Sequence, residues 1–200
     1  VDHGADPSLR TRREGITAVS IAARRGRGDV LELFEQRGLP MDLTGVDRLI
    51  AACARNQAVE ARQLAQAEPE LLVALLAQGG TLLAEFAGTA NTGGVGLLLD
   101  LGVDVATPYQ EGDGYFCIAR QSTALHVAAW RGWPGTVKYL LERGAPVNAI
   151  DAEGQTALAL AVRACVDSYW TERRSPESTR ALLAAGADPN TAPYPCGYDE

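Results

Sequence analysis

Basic side chains are scarce in this 200-residue chain: 18 lysines and arginines face 25 aspartates and glutamates, which leaves a formal net charge of −7. That balance excludes the clustered positive footprint by which proteins neutralise phosphate backbones, so nucleic acid is not an expected partner. Histidine is scarcer still, with two copies, His3 and His126. No Gly-x-Ser-x-Gly elbow is present, and a serine or cysteine nucleophile has no histidine left over to serve as its base once His126 is assigned a structural role below. The glycines at Gly93-Gly94 and Gly112-Asp113-Gly114 lack the lysine and preceding strand of a phosphate-cradling loop. Glu111 and Asp113 do not continue into a calcium-ligand series. Four cysteines, Cys53, Cys117, Cys165 and Cys196, show no Cys-x-x-Cys pair and no neighbouring histidine. They read as reduced, partly buried thiols of a cytoplasmic protein rather than zinc ligands. No run approaches the roughly 18 apolar residues of a membrane-spanning helix. These absences together predict a protein that is not an enzyme, carries no cofactor or metal, and touches neither nucleic acid nor membrane.

What the chain does have is repetition. Gly4-Ala5-Asp6, Gly38-Leu39-Pro40, Gly102-Val103-Asp104, Gly144-Ala145-Pro146 and Gly186-Ala187-Asp188 each close an apolar run of helical spacing. Thr17 to Gly38, Thr81 to Gly102 and Thr123 to Gly144 each span 21 residues, and Thr123 to Thr156 spans 33. The most regular copy reads Thr123-Ala-Leu-His-Val-Ala-Ala-Trp-Arg-Gly132, followed by Val137-Lys-Tyr-Leu-Leu-Glu-Arg-Gly-Ala-Pro-Val-Asn148. Thr156-Ala-Leu-Ala-Leu-Ala and Thr17-Ala-Val-Ser-Ile-Ala-Ala are further copies. This pattern resembles the ankyrin repeat, and the resemblance covers nearly all of the chain. It implies an all-α solenoid of helix-turn-helix repeats joined by short β-hairpin-like fingers, a protein or peptide as partner, and a monomer. It also implies that Thr123 and His126 hydrogen-bond the turns of adjacent repeats.

On that reading residues 1–200 form a single array. Residues 1–10 end a preceding repeat, 11–42 form one repeat, 43–68 a degenerate one, 69–106 a third, 107–150 a fourth and 151–190 a fifth. Residues 191–200 begin another repeat or a tail, as in a piece cut from a longer array. The second repeat is worn: Asp47, Asn56 and Glu68 stand where threonine, the mid-repeat glycine and the closing glycine belong. Leu49, Ala51, Ala52, Val59 and Leu64 nevertheless keep helical spacing. In the first repeat, Val30, Leu31, Leu33 and Phe34 are expected on the packed face of the outer helix. Gly93 and Gly94, at the start of an outer helix, are each expected to lower helix stability by roughly 1 kcal/mol relative to alanine. Two insertions interrupt the period. One lies in the finger at 108–117, and the other lies between the helices of the fifth repeat at 163–178, where the inner helix is expected to extend by about two turns before Ser175-Pro176 restarts the chain.

Lining up the ends of the inner helices gives Arg24-Arg25, Ala54-Arg55, Gly88-Thr89, Trp130-Arg131 and Arg163-Ala164. In ankyrin-like stacks these positions border the concave face. The resemblance therefore implies a ladder of Arg24, Arg25, Arg55, Arg131 and Arg163 for an acidic or carboxylate-bearing partner segment. Favourable placement of cations near helix C-termini explains the same arginines without any partner. Aromatic residues gather near that edge: Tyr109, Tyr115 and Phe116 in the finger, Trp130 in the fourth repeat, Tyr169 and Trp170 in the second insertion. Rings of these types are enriched at binding hot spots. The alternative for them is a satellite core between the two insertions. Two further functions stay open: a small-ligand or enzyme-accessory site lined by Tyr115, Arg131, Asp167 and Trp170, and a structural spacer.

Overall fold

The mid-repeat turn is where sequence and backbone agree most closely. Gly26, Asn56, Ala90 and Gly132 all take left-handed φ values, between 60° and 69°, at the same place in four successive repeats. Asparagine tolerates this region and alanine pays a cost of roughly 1 kcal/mol or more, so the turn is imposed by the packing of the helices around it. The computed structural model describes residues 16–114, 117–167 and 174–191. Among these residues lie eleven α-helices, with only isolated β-bridges between them. No single described helix is long and apolar enough to cross a membrane. The chain divides into two compact units, residues 1–103 and 104–200.

In the first unit three helix pairs follow one another: α1 (Ala18–Arg24) with α2 (Gly28–Gln36), α3 (Val46–Ala54) with α4 (Ala58–Ala67), and α6 (Gly79–Gly88) with α7 (Thr92–Asp100). Thr17 caps α1 by accepting a hydrogen bond from the Ser20 amide at 3.2 Å. An additional helix, α5 (Pro69–Leu76), separates the second pair from the third. The repeat pattern, which starts the third repeat at residue 69, does not anticipate it. The cause is local. Gly38, Gly102, Gly144 and Gly186 close their repeats with positive φ, whereas Glu68 is extended at φ −132°, ψ 76°. The chain therefore does not swing out into a finger, and Pro69, which suits a first helical position, starts a new helix at once. The inner helix α6 then begins at Gly79, two residues before Thr81.

The core of this unit is built around α3, buried from Leu49 through Ala54 and packed against α1, α2, α4, α5 and α7. Phe86, Leu82, Leu83, Leu31, Leu75 and Leu98 are other large buried side chains of this core. Of the outer-helix residues of the first repeat, Leu31 is buried but Leu33 is 47% exposed, because two residues along a helix turn a side chain to the opposite face. Val59 is exposed as well.

The first and third repeats touch directly. Gly26 and Gly94 both lie against the ring of Phe86, where an added Cβ would come within 2.7 Å of ring carbons at either position. Gly93 is held equally close by the side chain of Asn56, and Gly28 by the carbonyl of Ala54. The paired glycines of α7 thus serve a close approach of three turns, and their weak helix propensity is offset by packing that no larger residue permits. Asn91 sits at the centre. Its amide nitrogen donates to the carbonyls of Gly26 and Ala54, each at 2.7 Å, while its carbonyl oxygen accepts from the Gly94 amide at 2.9 Å and caps α7.

The second unit stacks in sequence order. It holds α8 (Ala124–Trp130), α9 (Pro134–Glu142), α10 (Ala157–Asp167) and α11 (Glu177–Ala184). Inner helix α10 packs on α8, and outer helix α11 packs on α9. The finger preceding α8 is a hairpin with antiparallel bridges Tyr109–Ser122 and Asp113–Ile118. The next finger closes by the bridge Ile150–Thr156, and its Ala152 amide donates to Arg120 of the first finger at 2.9 Å. Asn148 ties the repeat to its successor by accepting from the Asp188 amide at 2.9 Å. The described part of α10 has eleven residues against seven in α8, about one turn more, and the remainder of the expected extension lies outside the described residues.

Candidate functional site

His126 sits inside the scaffold. It is 1% exposed, its Nδ1 accepts from the Thr123 amide at 3.1 Å and lies 2.9 Å from the Thr123 hydroxyl, and its Nε2 meets the Gln155 carbonyl at 3.1 Å. Nδ1 accepting requires the proton on Nε2, so the ring is neutral and joins α8 to the following finger. Burial holds its pKa below the usual imidazole value, against the smaller opposing pull of Asp151 and of hydrogen bonds to Gln155 and Ala149. Cys53 is likewise enclosed, and burial pushes its thiol up to about 12, far from a reactive thiolate. Among the described residues, no group of three or more His, Cys, Asp or Glu is arranged to hold a metal ion.

The arginines at the inner-helix ends divide into two kinds. In the first unit each has a carboxylate of its own chain. Arg24 Nε is 2.8 Å from Asp47 and its Nη1 donates to Gln78 at 3.2 Å. Arg25 is 2.7 Å from Glu85, and Arg55 is 3.1 Å from Glu35 with its side chain only 15% exposed. Asp47, the residue standing in for threonine, is buried and receives Arg24, which explains why an acid is tolerated there. The ladder read from the sequence is therefore occupied from within at Arg24, Arg25 and Arg55. The carboxylates responsible were missed because pairing across about 20 to 60 positions leaves no local pattern.

In the second unit the pattern changes. Trp130 and Arg163 hold the same place in consecutive repeats, and the guanidinium carbon of Arg163 lies 5.3 Å from the centre of the Trp130 ring, a cation–π arrangement. Arg163 Nη1 donates to Gln155 Oε1 at 2.8 Å, and Gln155 Nε2 donates to Glu153 at 2.8 Å, which fixes the amide with its oxygen towards the arginine. Both Trp130 and Arg163 are half-buried, as is Arg131, the C-cap of α8. Tyr109 is 8% exposed, with its backbone paired to Ser122 at the finger root. Its ring is therefore packing material rather than contact surface, a correction to the sequence reading. Tyr115, Phe116, Tyr169 and Trp170 lie outside the described residues, and with Tyr115 and Trp170 goes half of the lining expected for a ligand site between the insertions. Sequence reasoning gave Trp130 and Arg163 as separate candidates; their 33-residue separation was the signal that they meet.

A sequence profile of ankyrin repeats matches three copies across residues 90–192. The E3 ubiquitin-protein ligase XB3 of Oryza sativa subsp. japonica is 31% identical over 157 residues, covering 73% of this chain and 34% of that protein. Ankyrin repeat and SOCS box protein 16 of Mus musculus is 41% identical over 70 residues, covering 35% of this chain and 15% of that protein. The chain thus spans about a third or less of the length of these relatives.

Proposed function

The chain belongs to the ankyrin-repeat family, and from that premise we propose that it is a non-catalytic module that binds a protein or peptide through the finger and inner-helix edge of its second unit. Ankyrin repeats generally serve protein–protein interaction, and the residues that most resemble chemistry here are committed to structure. His126 holds a turn, and Cys53 is a buried thiol. The observation that carries the reading is the half-buried trio of Trp130 and Arg131, at the end of α8, and Arg163, at the matching position within α10 and bonded to Gln155 of the finger that precedes it. Tryptophan and arginine are the residue types that dominate binding energy when clustered in this way.

Affinity purification with the 200-residue chain, quantified by mass spectrometry against an Arg131→Glu, Trp130→Ala variant, tests it. Partners should be lost from the variant while its melting temperature stays within a few degrees of the parent, as befits partly exposed positions. A partner set identical for both proteins would remove the second unit's edge from consideration.

A further inference from the structure

Arg163 differs from the other inner-edge arginines in what neutralises it. Arg24, Arg25 and Arg55 each face a carboxylate within 3.1 Å, whereas Arg163 makes no ion pair among the described residues and rests on a ring face and a neutral amide. Its Nε is buried without an acceptor. Its Nη2 makes no hydrogen bond among the described residues and is not one of the fully buried unpaired atoms. A half-buried guanidinium held in this way has surrendered part of its hydration without gaining a counter-charge. Glu153 is the nearest acid in the network, and it is kept one amide away by Gln155.

Resting on the interaction reading above, we propose that the stacked Trp130–Arg163 pair is a recognition site for an aspartate or glutamate side chain of the bound segment. The carboxylate approaches Nη2 from the solvent side while the tryptophan ring fixes the guanidinium plane, so the donor is already oriented and little side-chain entropy is lost on binding. Beside it on α10, Val162 and Val166 stand one turn apart and are 47% and 68% exposed. The segment that fits therefore places an aliphatic residue next to its acid. Because the protein as a whole carries a net charge of −7, a run of several acids is repelled, and the site selects an isolated one.

The test is a display library of random dodecapeptides, panned on the 200-residue chain, with selected sequences remade carrying amidated C-termini so that only side-chain carboxylates contribute. Enriched peptides should share one Asp or Glu adjacent to Leu, Ile or Val. Fluorescence anisotropy should show at least tenfold weaker binding when that acid becomes its amide, and the same loss for Arg163→Gln. The double change should cost no more than either alone, the signature of direct pairing. If Arg163→Gln does not fold, the acid-to-amide change in the peptide decides alone. Peptides enriched without an acid, or an acid preference untouched by Arg163→Gln, would overturn the carboxylate site while leaving the interaction module standing. A library from which nothing is enriched would overturn both.

Discussion

The side-chain nitrogen of Asn91 lies 2.7 Å from the carbonyl oxygen of Gly26, a hydrogen bond across 65 positions that joins the third repeat of the first unit to the first. The same nitrogen reaches Ala54 in the second repeat, and the oxygen caps α7. Replacing Asn91 by alanine removes a helix cap and leaves two carbonyls short of a donor. The expected cost is about 2–4 kcal/mol, read as a lower urea midpoint at unchanged slope. A change under about 0.5 kcal/mol, the size typical of surface sites, would mean that water supports this junction unaided.

Gly94→Ala separates two opposed effects by sign. Helix propensity alone favours alanine by roughly 1 kcal/mol. The added Cβ, however, would sit 2.7 Å from the fully buried ring of Phe86. Overpacking of this kind costs about 1–3 kcal/mol, so the variant should be less stable than the parent. A higher melting temperature would show that Phe86 can give way.

Acid should weaken the second unit through His126. Burial holds its folded pKa below the unfolded value, so the unfolded chain takes up the proton first as pH falls. The stability that comes from keeping the ring neutral is complete above about pH 6.5, the ordinary imidazole value, and is lost as pH falls from there through the folded pKa. Asp151, which opposes the shift, limits its size. Urea titrations at pH 7.5 and 5.5 should show a loss for the parent protein and a smaller one for His126→Gln. Equal losses in both would assign the acid sensitivity to other groups.

The regular repeats were legible because their signals are local. Thr17 and Thr123 mark the starts of inner helices, and Gly38, Gly102, Gly144 and Gly186 mark the ends of outer ones. Each depends only on backbone conformation within a few residues. Helix α5 was missed because the reading carried the repeat pattern across Glu68, although Pro69 and the apolar run Leu71–Ala77 behind it were in plain view. The meeting of the first and third repeats left no comparable trace. Glycines at 26, 93 and 94 look like weak helix formers until the side chains of Phe86 and Asn56 are placed against them. At the candidate site the residue types were visible, but whether an arginine faces an acid or a ring depends on partners one or two repeats away. Sequence therefore ranked Arg24 and Arg163 alike, and only three-dimensional placement tells them apart.

Direct bonding between repeats that are not neighbours changes how the first unit can be cut or lengthened. An ordinary solenoid sheds a terminal repeat at the expense of a single interface. Here, stripping away α1 and α2 also takes a wall from α6 and an acceptor from Asn91, so shortening by one repeat undoes two junctions together. The segment from α1 to α7 must assemble as a whole, with the slower, all-or-none folding that distant pairings impose.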